Sequence, residues 1–410
     1  MKALQPVAEN ERLPLLDVLR GVALLGILLV NMAHFSYPDL YLSFVGNEHF
    51  LSNTWHFTDH VTRFLLDVWI QMKFILLFSF LFGFGMAVMR ERSLEKGTRF
   101  ASMYVRRLIV LLLFGTVHAF FIWDGDILTD YALLGFVLLL FGRSKPKTLV
   151  IWALSLYLLF SIPFVLSSFV VETGENGMNE WEETMKTEYE SEAKQALEVY
   201  SNGTFSEIAT QRIHDRMTYM SINGMLTFNP FIYFFSSIPY FSMFLLGAAF
   251  AKARILHDPD KHQRIHRILW IIGLIIGIGG NLLAALSNQQ LYLLIGAPFL
   301  MLFYVTTLTY LVTKTSIARW FHPFATVGRM AFTNYLCQSL ICTFLFYRYG
   351  LGLYGSVGPF VGTLMAFAIF AFQMALSLLW FRRYRTGPLE WIWRSLTYKK
   401  RLPMKRTKAA

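Results

Sequence analysis

Hydrophobic positions in this chain run together instead of alternating with polar ones. Ten apolar stretches can be read, at approximately 15–35, 64–89, 104–122, 127–142, 148–171, 230–251, 268–287, 290–312, 326–347 and 357–381. Most approach the roughly 20 residues that a helix needs to cross a hydrocarbon core of about 30 Å. The pattern therefore predicts an all-α, polytopic membrane protein of about ten transmembrane helices, a single integral membrane domain over 1–410. The first run is followed by no small-residue cleavage pattern, so it is expected to stay as a span.

Composition agrees: 55% of the 410 residues are hydrophobic and 15% are charged, against about 25% charged in an ordinary soluble domain. The lipid bilayer is the expected partner. A net charge of +11 would suit nucleic acid if it formed one patch, but it is spread over short connectors, which argues against that partner. Lys and Arg concentrate after every second run, at Arg90 to Arg107, Lys252 to Arg267 and Arg382 to Lys408, with smaller clusters at Arg143 to Lys147 and at Lys314 and Arg319. The positive-inside rule then places both termini in the cytoplasm. Segment 172–229 has eleven acidic residues against four basic ones, and is expected as an extracytoplasmic insertion between spans five and six. Good helix formers over 179–200 predict a short exposed helix there. Residues 387–398 alternate Leu389, Trp391, Ile392, Trp393 and Leu396 with Glu390 and Arg394, the pattern of an interfacial helix followed by a basic tail. The two cysteines, Cys337 and Cys342, lie five residues apart, about 140° around a helix, and point to neither a disulfide nor a metal site.

Polar groups inside a span are costly and are site candidates by default. The first run contains Asp17, Arg20, Asn31 and His34. Eleven residues are nearly three turns, so Arg20 and Asn31 share one stripe about 16 Å apart. The plainer reading pairs Arg20 with Asp17 and leaves Asn31 and His34 to cap the outer end. In the second run Lys73 is six residues from Asp67, about 120° around a continuous helix, so a partner on another span is expected. The third run ends in His118-Ala-Phe-Phe-Ile-Trp-Asp-Gly-Asp126. Trp123 suits the membrane interface, Gly125 permits a tight turn, and His118 with Asp124 or Asp126 has the composition of a general base. The same residues could simply cap the fourth helix, or bind a cation. Asn334, Gln338 and Ser339 form a polar seam near Arg329, of the kind that glues helices or lines a pocket.

These blocks together resemble the YeiB family of bacterial membrane proteins of unknown function. The matching stretches are Leu16 to Gly21 with Leu25 to Asn31, Lys73 to Phe78 with Phe82 to Gly85, His118 to Leu128, Gly328 to Tyr335, and Gly387 to Arg394. The first span, with a polar group eleven residues after an Arg, is also similar to transmembrane acyltransferases of the heparan-α-glucosaminide N-acetyltransferase type. That likeness implies an acyl group moved from a cytoplasmic thioester donor, acetyl-CoA or a similar acyl-CoA, to a small-molecule or glycan acceptor outside. No tightly bound cofactor and no metal are expected. The polysaccharide O-acyltransferases have His where this chain has Asn31. The heparan-type enzymes are similar to this chain in having Asn there, and take their His from the following loop, where His49, His56 and His60 stand. The expected roles are His118, Asp126 and His34 as catalytic groups, with Arg20, Asn31, Lys73, Asp124, Arg329, Asn334 and Gln338 binding donor or substrate. A transporter with Lys73, Asp67, Arg329 and Asn334 around a midplane cavity is the alternative, although no internal repeat is visible.

Overall fold

The computed structural model describes residues 13–45, 54–170, 178–225, 229–287 and 289–406. Long apolar helices dominate it: α1 (Pro14–Ser36), α4 (Lys73–Glu95), α5 (Phe100–Phe121), α7 (Pro146–Val170), α10 (Pro230–Lys252), α11 (Gln263–Ser287), α12 (Gln290–Lys314) and α15 (Pro359–Arg383). With the α4 run extended back to Phe57, these are, among the described residues, the eight long enough and apolar enough to cross a bilayer. The fourth and ninth predicted spans appear as shorter apolar segments, 128–141 and 331–346. They contain α6 (Leu128–Leu138) and α14 (Ala331–Phe346). The remaining α-helices among the described residues are α2 (Asp39–Val45), α3 (Phe57–Trp69), α8 (Met178–Asn202), α9 (Phe205–Ile222), α13 (His322–Arg329) and α16 (Pro388–Tyr398). The chain is a polytopic α-helical membrane protein.

Two predicted spans are not continuous helices. The second breaks at 70–72, where Met72 adopts a left-handed φ of 70°, costly for a side chain with a Cβ. At this break Lys73, fully buried, donates to the carbonyl oxygen of Asp67 at 2.6 Å. This corrects the expectation that Lys73 cannot reach Asp67 and finds its partner on another span. That expectation assumed 100° per residue through a continuous helix. The ammonium in effect caps the last turn of α3, while the Asp67 carboxylate pairs with Arg63. The ninth predicted span breaks at Met330 between α13 and α14. Gly328 packs so closely on α1 that an added Cβ would lie 1.9 Å from the carbonyl oxygen of Asp17. Without a Cβ the backbones touch, bringing Arg20 and Arg329 to one end of the molecule.

The segment between α7 and α10 forms α8 and α9, and neither is simply exposed. In α8 Ala193, Ala196 and Tyr200 are buried, and in α9 the buried positions are Ile208, Gln211, Arg212, Asp215 and Arg216. Thr204, within the Asn202-Gly203-Thr204 triplet, caps α9 by accepting from the Glu207 amide. At the opposite end of the bundle α16 packs on α5: Trp393 donates its indole N–H to the Arg107 carbonyl at 3.0 Å, and Arg106 donates to that of Thr397 at 3.1 Å.

Candidate active site

The turn between α5 and α6 organises two His–Asp pairs. His118 Nδ1 lies 2.8 Å from Asp126 Oδ2, and His34 Nε2 lies 2.7 Å from Asp124 Oδ2. The other Asp126 oxygen accepts from the amide and hydroxyl of Thr129, each at 2.9 Å. Orienting the imidazole and capping the helix, alternatives on sequence grounds, are thus done by two oxygens of one carboxylate. Gly115, one turn before His118, makes room: a Cβ there would sit 2.6 Å from the Thr129 amide nitrogen and 3.0 Å from Asp126 Oδ1. Trp123 is not an interfacial residue as expected but is 1% exposed, its indole edge-on to His34 at 5.1 Å and to His118 at 6.2 Å. The hairpin turn folds it inward against both imidazoles, where burial of its large apolar ring outweighs an interfacial position.

α9 closes this turn from outside the bundle. Arg216, 1% exposed, donates to the carbonyl oxygens of Asp124 at 3.0 Å and Asp126 at 3.1 Å. Arg212 donates to that of Phe120 at 3.1 Å. Burial pushes the Asp124 carboxyl up, but His34 and Arg216 outweigh burial and hold it below the ordinary carboxylate value. Next to it, Asp215 accepts from Tyr41 at 2.7 Å, Tyr200 at 2.6 Å and Gln211 at 2.8 Å. Burial and the charge of Asp124 push the Asp215 carboxyl up to about 6. A carboxyl with a raised folded pKa favours the folded protein most at low pH, and that contribution is lost as pH rises toward about 6. Thermal stability is therefore expected to fall between pH 4 and 6 in the wild type, and the slope should flatten in Asp215→Asn. Equal slopes by scanning calorimetry would contradict this.

A cavity of about 380 Å³ opens from the end of the bundle that carries the basic connectors. Arg20, Arg107, Arg329 and Arg394 stand at its mouth with Asp17 and Glu390. Arg20 is paired with Asp17 at 2.8 Å, the guanidinium of Arg107 stacks 3.6 Å over Trp393, and that of Arg329 lies 4.1 Å over Phe381. Burial pushes the Glu390 carboxyl up although Thr333 donates to it twice. Beyond the mouth the walls are apolar, with Phe78, Leu81, Phe82 and Leu111 leading to Ile127, Leu128 and Tyr335. Tyr335 is the shared wall: it lines the cavity, and its ring lies 5.3 Å from the His118 imidazole. Along α5 one face carries Tyr104, Arg107, Leu111, Gly115 and His118. From Arg107 to His118 is eleven residues, about 16 Å of helix.

The other predicted residues fall elsewhere. Asn31 is half-buried and lines neither this cavity nor the smaller one, of about 40 Å³, that contains Asp39, Arg63, Asp67 and Gln71. Asn334 donates to the Val327 carbonyl and to Ser377, each at 3.2 Å, and Gln338 donates to Gln373 at 2.9 Å. Asn334 and Gln338 are thus hydrogen-bonded within the protein, as helix glue is, whereas the buried Ser339 hydroxyl of the same seam has no partner among the described residues. Lys73 and Asn334 line neither cavity, Arg329 lines the large one and Asp67 the small one, so the four do not share a cavity. His56 caps α3 and His60 packs on Trp55 at 5.4 Å, whereas His49 lies outside the described residues. Among the described residues no group of three or more His, Cys, Asp or Glu is placed to hold a metal.

Sequence reasoning missed Arg212, Asp215 and Arg216. Their positions with Ile208 and Gln211 follow the i, i+3, i+4, i+7, i+8 pattern of a buried helix face. Because the stripe is polar it reads as a solvated surface. Arg107 was visible only as orienting charge, and Arg394 only as part of the interfacial helix.

A buried His118–Asp126 pair and a part-buried His34–Asp124 pair within a bundle of helices apolar enough to cross a membrane define a polytopic membrane protein with an internal polar site. Residues 250–400 match the family described as a protein of unknown function, DUF418. The uncharacterised protein YxaH of Bacillus subtilis is 60% identical over 97% of both chains. The uncharacterised protein YeiB of Escherichia coli is 29% identical over 94% of this chain and 96% of its own. An uncharacterised 39.9 kDa protein from the amylase 3′ region of Bacillus acidopullulyticus is 26% identical over 98% of both. The chain belongs to this YeiB-like DUF418 family. No solved structure matches it.

Proposed function

We propose that this protein is an acyltransferase of the bacterial cytoplasmic membrane, moving an acyl group from a cytoplasmic thioester donor to an acceptor hydroxyl or amine at the outer side. The observation that supports this best is the cavity itself: arginines at its mouth, apolar walls, and at its far end a shared wall with a buried His118–Asp126 pair. Arginine forks suit the phosphates of an acyl-CoA. About 16 Å along α5 separates that mouth from the imidazole, which suits a donor whose reactive carbonyl is far from its charged end. With the Asp126 carboxylate accepting from Nδ1–H, Nε2 carries the lone pair. As the acceptor oxygen or nitrogen bonds to the thioester carbonyl, its proton passes to Nε2. The C–S bond then breaks and the thiolate leaves with that proton. A midplane transport cavity would need Lys73, Asp67, Arg329 and Asn334 around one space, which is not how they lie.

Purified protein incubated with radiolabelled acetyl-CoA should show saturable label transfer or hydrolysis, and Arg20→Gln should raise the KM about tenfold or more, roughly the 1.4 kcal/mol or above of a charge-assisted phosphate contact. No turnover with any acyl-CoA would sink the reading. Orientation is checked separately in a variant lacking Cys337 and Cys342. A cysteine at Ser191, exposed on α8, should react with an impermeant maleimide in intact cells, whereas one at Glu95, exposed at the end of α4, should not. The reverse labelling would invert the topology.

A further inference from the structure

Trp123 combines three properties that packing alone does not require. Its indole N–H is buried and has no hydrogen-bond partner among the described residues. Such a group usually finds one, because an unmet buried donor costs the desolvation of that group. The ring beside it, His118, has the same deficit at Nε2, although its Nδ1 is held by Asp126. One orphan can only donate; the other, with its proton on the Asp126 side, accepts. The segment that presents the indole is held at several points: the Trp123 amide donates to the His118 carbonyl at 2.9 Å, and Arg216 holds the next carbonyls at Asp124 and Asp126. The indole also lies over Gly125, where a Cβ would come within 2.4 Å of the ring.

We infer that Trp123 supplies the hydrogen bond that stabilises the acyl carbonyl oxygen during transfer, and so is a catalytic residue of the reaction proposed above. A single ligand group satisfies both orphans only if it brings an acceptor for the indole and a proton for the imidazole. A thioester carbonyl under attack by a hydroxyl or amine does both. As the acceptor atom bonds to the carbonyl carbon, the π electrons move onto the carbonyl oxygen, which the indole N–H binds, and the acceptor's proton moves to His118 Nε2. When the carbonyl re-forms, the C–S bond breaks and the thiolate takes that proton, leaving both groups as they began. The carbonyl reaches this position by displacing the Tyr335 ring, which separates the cavity from His118. A fixed donor aimed at developing charge needs no reorganisation during the reaction, and loss of one such donor typically lowers kcat by about 10²–10³-fold.

The inference rests on the acyltransferase reading, and the experiment distinguishes the two. Trp123→Phe keeps an aromatic ring on this turn and removes the N–H together with the outer part of the indole that lies over Gly125. It should lower kcat for acetyl transfer about 10²-fold or more while KM changes by less than about threefold. In parallel, wild-type protein labelled with 15N at its indoles is titrated with S-acetonyl-CoA, which keeps a carbonyl but cannot transfer it. The Trp123 indole proton should shift downfield, and that resonance is assigned by its absence from Trp123→Phe. If Trp123→Phe turns over at the wild-type rate, or the bound ketone leaves the indole proton unmoved, the assignment is wrong although the acyltransferase reading stands. Absence of turnover in the wild type overturns both. Should Trp123→Phe not fold, the titration with Trp123→Tyr for assignment decides.

Discussion

His118→Gln is expected to lower acyl transfer by about 10²-fold or more with little change in melting temperature. Glutamine is close to histidine in size and can still donate a hydrogen bond to Asp126, so the turn should persist, but it has no basic nitrogen to receive a proton. Asp126→Asn is expected to behave differently, because Asp126 serves two partners. The amide retains one acceptor oxygen for Thr129 or for His118 but not for both. It should therefore lower the rate, through loss of imidazole orientation, and also cost about 0.5–2 kcal/mol as a weakened helix cap. Full rate in His118→Gln would move the proton acceptor to His34, which pairs with Asp124 and also packs edge-on with Trp123.

Removing the Arg216 side chain should have the largest effect on stability, about 3–5 kcal/mol for Arg216→Ala, comparable to breaking a buried ion pair. Two buried carbonyls lose their donor, and Asp124 loses a positive charge that offsets its burial. Arg216→Lys restores charge but not the fork, and should recover part of the stability. Chemical denaturation of the detergent-solubilised protein checks both. If Arg216→Ala unfolds at the wild-type midpoint, α9 does not hold the turn, and its buried polar face needs another explanation.

Composition and spacing determined much of this protein. Runs of about 20 apolar residues cannot be accommodated except across a bilayer, and each helix satisfies its own backbone, so spans are readable one at a time. Likewise the nearness of His118 to Asp126 was legible because both lie within nine residues, on one helix end and its turn. Tertiary structure alone decided the rest. Lys73 turned to Asp67 because a three-residue break, invisible in an apolar run, replaced the 100° step. His34 met Asp124 ninety residues away, and Arg216 met the same turn from α9. The arginines of the cavity mouth come from four helices whose charges, read along the chain, report only which side of the membrane they prefer. Local periodicity is set by neighbouring residues, but pairing across helices depends on where close-packed backbones such as α1 against Gly328 allow distant side chains to meet.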